Sequence, residues 1–186
     1  MKVFILCGGY GTRLDQESKI IAKPMVRIGK EPILFHLIQN FLIQGFNEFV
    51  ICLGYKKNSI INYVLNEKKF SCKIISQKKS NIIIEFKYKK IKSKIYLVDT
   101  GLKSGTGGRI KTAYNTLKLN EDIIMTYGDG LCSLSINKLI NYHKKKKSTI
   151  TITAVRPKQR YGILNITSNN KLKQFDNSKK KSNIYV

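Results

Sequence analysis

Four apolar runs in this chain each end in a turn that carries glycine, and that recurrence restricts the fold more than any other feature. The runs cover residues 3–6, 49–53, 95–98 and 123–126; the turns behind them are 8–13, 54–55, 100–101 and 128–129. Short continuous runs rich in Ile, Val and Phe mark strands buried on both faces. Helical spacing separates them. Residues 32–45 open with Pro32, repeat Leu34, Leu37, Ile38, Phe41 and Leu42, and stop at Gly45. A second helix is expected around Ile60, Ile61, Val64 and Leu65, a third over 109–118 and a fourth over 135–146. The alternation predicts an α/β fold, a Rossmann-like, mostly parallel sheet with helices on both faces. In such a sheet the carboxyl ends of the strands form the ligand crevice, so the four turns are expected to converge on one edge.

Other segments break the alternation. Residues 72–88 predict a hairpin or two short strands, with Ile74-Ile75 and Ile82-Ile83-Ile84 flanking a polar turn. Residues 149–155 have strand propensity, and 162–166 and 171–175 are shorter β candidates. At 186 residues the chain is long enough for one well-buried domain and too short for two full ones, so 1–186 is expected to form a single domain.

The first turn reads Gly8-Gly9-Tyr10-Gly11-Thr12-Arg13-Leu14, and Lys23-Pro24 follows. A glycine-rich turn behind a buried strand lets backbone N–H groups approach phosphate oxygens, and an arginine can pair with the same anion. A dinucleotide fingerprint begun at Gly9 would need glycine where Leu14 stands. A P-loop would need Gly-Lys-Ser/Thr, and the turn ends Thr12-Arg13-Leu14. Both common phosphate motifs therefore fail residue by residue.

What remains, GGxGTRL followed by Lys23-Pro24, resembles the signature of the sugar-nucleotide pyrophosphorylases, the nucleotidyltransferases that join a nucleoside triphosphate to a sugar 1-phosphate. Asp99-Thr100-Gly101, Thr106-Gly107-Gly108-Arg109 and Tyr127-Gly128-Asp129-Gly130 resemble the glucose-1-phosphate cytidylyltransferase group of that family, and the likeness runs to about Phe175. The resemblance implies a nucleotide-diphospho-sugar transferase fold, CTP as the nucleotide, a small phosphorylated acceptor and Mg²⁺ as the metal. It implies Arg13 and Lys23 as catalytic residues. Leu6, Cys7, Gly8, Gly9, Gly11, Thr12, Thr100, Gly101, Ser104, Arg109 and Gly128 would complete the nucleotide site with them, and Asp129 would hold the metal. Such chemistry needs charge neutralisation and alignment more than a strong base, because an attacking phosphate is already ionised.

The sequence also departs from that family. Phe175 is followed by Asp176-Asn177-Ser178 where the family carries Glu-Lys-Pro. The chain stops at Val186, ahead of the family's sugar-binding glycine motif and second metal aspartate, so the nucleotide half is expected complete and the acceptor half incomplete. Three functions follow: CMP transfer to glucose 1-phosphate, CMP transfer to a non-sugar acceptor such as phosphoglutamine in capsule phosphoramidate synthesis, or CTP binding without turnover.

The net charge of +24 at first suggests nucleic acid. All but five of the 35 basic residues are lysine, however, scattered among isoleucine and asparagine without zinc-finger spacing or an aromatic-basic pattern. The charge is composition, and no nucleic-acid or membrane partner is expected. Cys7, Cys52, Cys72 and Cys132 lack C-x-x-C spacing, which predicts free thiols, and no run reaches transmembrane length. A cytoplasmic protein is expected, with an oligomeric state the sequence does not reveal. His36 and His143 lie in helical stretches without ligand partners and are expected to be structural or exposed.

Overall fold

The computed structural model describes residues 1–10, 21–155, 163–169 and 171–176. The chain divides into two compact units, Met1–Asn137 and Lys138–Val186. In the first, β1 (Lys2–Leu6) leads through a 3-10 turn (Lys23–Met25) to a small ribbon of β2 (Arg27–Ile28) and β3 (Glu31–Pro32). Helix α1 (Ile33–Ile43), β4 (Glu48–Leu53) and α2 (Lys57–Asn66) follow, then β5 (Ser71–Gln77), β6 (Asn81–Tyr88) and β7 (Ile91–Asp99). Helix α3 (Thr106–Thr116) and β8 (Ile123–Tyr127) come next, and α4 (Ile136–Lys146) runs across the division between the units.

The six long strands form one sheet in the order β5-β6-β7-β4-β1-β8. The pairs β7–β4, β4–β1 and β1–β8 are parallel, with Ile5 opposite Ile51 on one side and Thr126 on the other. Strands β5, β6 and β7 pair antiparallel. The expected hairpin is there, and it continues onto β7. That strand begins at Ile91, well before its apolar run, because Lys92 and Lys94 alternate with inward-facing Ser93 and Ile95.

Both faces of the sheet are covered. Phe4, Leu6, Val50, Cys52 and Val98 pack against Ala113 of α3, with Ile110 and Tyr114 at the margin. On the other face Val3, Ile5, Phe49, Ile51, Ile95 and Leu97 are buried. There Phe35 of α1 stacks on Phe70 at 5.5 Å, and Phe70 meets Phe86 at 4.9 Å. Each such side chain contributes roughly 1.5–3 kcal/mol by leaving water. Helix α1 turns its buried residues to this core and ends at Gly45, whose φ of 92° permits the closing bonds Gly45 N–H to Leu42 O and Phe46 N–H to Phe41 O.

Two sequence expectations need correction. Helix α3 starts at Thr106 rather than 109, because packing against the sheet overrides the poor helix propensity of Gly107-Gly108. Residues 149–155 form no strand; Ile150, Ile152 and Val155 are exposed. Strand propensity takes effect only against a partner, and among the described residues none pairs with this segment. In the second unit, β9 (Ile163–Ile166) and β10 (Leu172–Asp176) pair antiparallel, as the two short β candidates implied. No helix among the described residues is long and apolar enough to cross a membrane.

Candidate active site

Strands β4 and β7 are added on one side of β1, and β8 on the other. Chain order thus reverses at β1, and α1, which follows β1, and α3, which follows β7, cover opposite faces of the sheet, an arrangement that opens a crevice at the carboxyl ends of the strands. A cavity of about 340 Å³ lies there. Leu6, Cys7, Gly8, Gly9 and Tyr10 line it from the end of β1. Leu102, Lys103, Ser104, Gly105, Thr106 and Arg109 contribute from the β7–α3 connection, and Lys23, Pro24, Tyr127 and Asp129 complete the lining.

The structure therefore brings together Leu6, Cys7, Gly8, Gly9, Lys23, Ser104, Arg109 and Asp129 of the expected site. Gly128 sits behind the wall, its N–H donated to Leu6 O at 3.0 Å. Thr100 and Gly101 do not line the cavity. Thr100 is buried; its hydroxyl donates to Leu53 O at 2.6 Å and accepts from Arg109 Nη1 at 2.9 Å. Gly11, Thr12 and Arg13 lie outside the described residues.

Lys23 and Asp129 carry the opposite charges of the cavity wall. Pro24, buried at the start of the 3-10 turn, has no N–H to satisfy and a fixed φ, and so sets the backbone from which Lys23 projects. Lys23 Nζ lies 3.7 Å from Asp129 Oδ2, with both side chains still open to solvent. A pair this loose can part to let the ammonium take an anion and the carboxylate a cation. Gly105 and Thr106 place the start of α3, with its unpaired N–H groups, on the same cavity. Sequence reasoning missed this because it began the helix too late. Burial pushes the Cys7 thiol well above its ordinary range, so Cys7 contributes a neutral lining atom rather than a nucleophile.

Among the described residues no group of three or more His, Cys, Asp or Glu could hold a metal ion by itself. One exposed carboxylate, Asp129, faces the cavity, a donor set that suits Mg²⁺ completed by phosphate oxygens and water. His36 Nε2 instead lies 3.1 Å from Ile28 O, and His143 Nδ1 lies 2.8 Å from Thr151 Oγ1. All four cysteines are free.

The nucleotidyl transferase family model matches residues 2–181. This chain belongs to that family. It is 38% identical over 171 residues to the glucose-1-phosphate cytidylyltransferase of Salmonella typhimurium, covering 89% of this chain and 65% of the relative. The probable glucose-1-phosphate cytidylyltransferase of Bacillus subtilis is 34% identical over 166 residues with the same coverage. The chain thus spans 65% of the length of these curated relatives. Among solved structures, HddC from Yersinia pseudotuberculosis complexed with GMP-PN superimposes with a TM-score of 0.62 at 28% identity, covering 97% of this chain and 70% of that one. A putative glucose-1-phosphate thymidylyltransferase from Bacillus anthracis, with a TM-score of 0.63 at 16% identity, covers 100% of this chain and 68% of that one and shares the fold.

Proposed function

We propose that the chain works as one nucleotidyltransferase domain, a Mg²⁺-dependent cytidylyltransferase that moves CMP from CTP to glucose 1-phosphate and releases pyrophosphate. The observation that carries this reading is the Lys23–Asp129 pair on the wall of a cavity entered by the Gly8-Gly9 turn and the start of α3. An acceptor phosphate oxygen would attack the α-phosphorus of CTP, forming one P–O bond as the bond to the β-phosphate oxygen breaks. The electron pair of that bond leaves with pyrophosphate. Lys23 would bind between the α-phosphate and the acceptor phosphate, offsetting their repulsion. The Gly8 and Gly9 backbone and the first N–H groups of α3 would hold phosphate oxygens. Bound at Asp129, Mg²⁺ would supply further charge neutralisation on the triphosphate. Arg13, by its place in the family motif, is assigned to the departing β- and γ-phosphates.

The choice of CTP and glucose 1-phosphate rests on the two relatives at 38% and 34% identity. One observation favours a non-sugar acceptor instead: Asp176-Asn177-Ser178 stands where a sugar-side Glu-Lys-Pro is expected. The test is pyrophosphate release from CTP and Mg²⁺ with glucose 1-phosphate, run beside phosphoglutamine. Release with glucose 1-phosphate supports the proposal. Release with phosphoglutamine alone transfers it to the second acceptor, and silence with both rejects catalysis of either transfer by this chain.

A further inference from the structure

Composition accounts for how many lysines this chain carries, but not for their register in the sheet. On one face of the antiparallel strands β5, β6 and β7, the paired residues form two rows. The first row alternates in sign: Lys73 lies opposite Glu85, Glu85 opposite Lys94, and Lys94 opposite Glu48 of β4. Lys94 Nζ sits 3.6 Å from Glu85 Oε1, and Glu48 is taken up by Lys2 and Tyr96. The second row, two residues along each strand, reads Ser71, Lys87, Lys92 and contains no carboxylate. Like charges directly opposite each other on a sheet are destabilising unless a counter-charge joins them. Among the described residues none does: Lys73, Lys87 and Lys92 take part in no ion pair.

These side chains share a space. Ser71, Lys73, Lys87 and Lys92 are exposed and line a second cavity, of about 640 Å³, together with Glu85 and Lys94. It has no lining residue in common with the nucleotide cavity. Side chains opposite each other on a sheet have Cβ atoms about 4.5–5.5 Å apart, so the ammonium groups of Lys87 and Lys92 can converge on one anion.

We propose that Ser71, Lys73, Lys87 and Lys92 form a second anion site, which takes a small, multiply charged oxyanion of the oligophosphate class. Three ammonium groups without a carboxylate of their own call for more than one negative charge, and the Ser71 hydroxyl adds a donor for a further oxygen. Glu85 does not close the site to anions, because Lys94 neutralises it. The volume exceeds what one phosphate fills and admits pyrophosphate, with one phosphoryl group between Lys87 and Lys92 and the other toward Lys73. The inference is independent of the proposed function, since the two cavities share no residue.

The test follows backbone amide shifts of the ¹⁵N-labelled full chain during titration with inorganic pyrophosphate at low salt. Two sets of saturating shifts are expected, one at Gly8 and Gly9 and one at Ser71, Lys87 and Lys92. Lys87→Gln combined with Lys92→Gln should weaken the second set roughly ten-fold or more and spare the first. Lys144→Gln combined with Lys145→Gln changes the net charge equally and should spare both. Equal weakening by the two double variants, or shifts at 71, 87 and 92 that never saturate, would overturn the proposal in favour of diffuse attraction to a basic chain. Shifts confined to Gly8 and Gly9 would overturn it too and leave the proposed function standing. The reverse pattern would count against the proposed function and support this site. A second readout needs no ligand: Lys92→Glu puts a carboxylate opposite Lys87, so the melting temperature in anion-free buffer should rise while the second set disappears. A melting temperature that stays or falls would mean that the two lysines do not repel, and would reject the site.

Discussion

The two ends of the central sheet differ in how much charge they leave open. At the amino ends of the strands, ionic groups satisfy one another. Glu121 pairs with the Met1 amino group at 2.7 Å and with Lys2 at 2.8 Å, Lys2 reaches Glu48 at 3.3 Å, and Glu48 also accepts from Tyr96 Oη at 2.8 Å. Lys94 and Glu85, opposite each other in β7 and β6, lie 3.6 Å apart. At the carboxyl ends, a buried arginine is held by oxygens at the ends of three strands, and Lys23 and Asp129 stand loosely paired on the wall of a cavity. The first set closes its electrostatics internally and so contributes stability. The other closes the Lys57–Asp99 pair at 2.6 Å but leaves Lys23 and Asp129 open to the cavity, which is what binding a charged ligand requires.

Substitutions can break that contrast. The largest effect is expected for Asp129→Asn, which should abolish Mg²⁺-dependent pyrophosphate release; a variant with full activity would remove the metal assignment. Lys23→Ala should slow turnover by about 10²–10³, the usual cost of losing one donor to developing phosphate charge. In both variants the melting temperature should stay within a few degrees of wild type, since a solvent-open pair at 3.7 Å stabilises by about 1 kcal/mol at most. A large drop would mean the carboxyl end is structural after all.

At the other end the signs reverse. Glu121→Gln should leave turnover untouched and cost about 1 kcal/mol or less, read from chemical denaturation. The smallest effect is its pH dependence. The Lys2 hydrogen bond, helped by the chain's amino terminus, holds the Glu121 carboxyl below its ordinary value of 4.5. A depressed folded pKa gives stability that is present above 4.5 and is lost as pH falls through the folded value. Acid unfolding of Glu121→Gln should therefore be shallower below pH 4.5 than that of the wild type. Parallel acid limbs for the two proteins would show that the amino-end network contributes nothing measurable.

Much of the architecture was legible because the parallel strands are buried on both faces, and double burial writes itself as an unbroken apolar run. Residues 3–6 and 49–53 are buried throughout, and both were marked by composition alone. The start of β7 was hidden because one side of it stays open, and Lys92-Ser93-Lys94 reads as a polar stretch. Residues 149–155 mislead in the opposite sense: their propensity is high, yet among the described residues no pairing follows. Arg109 was the hardest to interpret. Nothing in Thr106-Gly107-Gly108-Arg109 announces that the guanidinium turns inward, since its acceptors include Gly8 and Leu53, 101 and 56 residues away.

The sequence by itself determined the order of strands and helices, the position of the glycine turns after the strands, and the residue types a phosphate site needs. Those are local properties, set by side-chain period and backbone freedom. Tertiary structure alone decided that β8 would join β1 on the side away from β4, and that Lys23 would come to face Asp129. It also decided that Arg109 would serve the connections rather than solvent. Each of these depends on which distant carbonyl or charge lies within about 3–4 Å, a distance that chain spacing does not encode and only packing fixes.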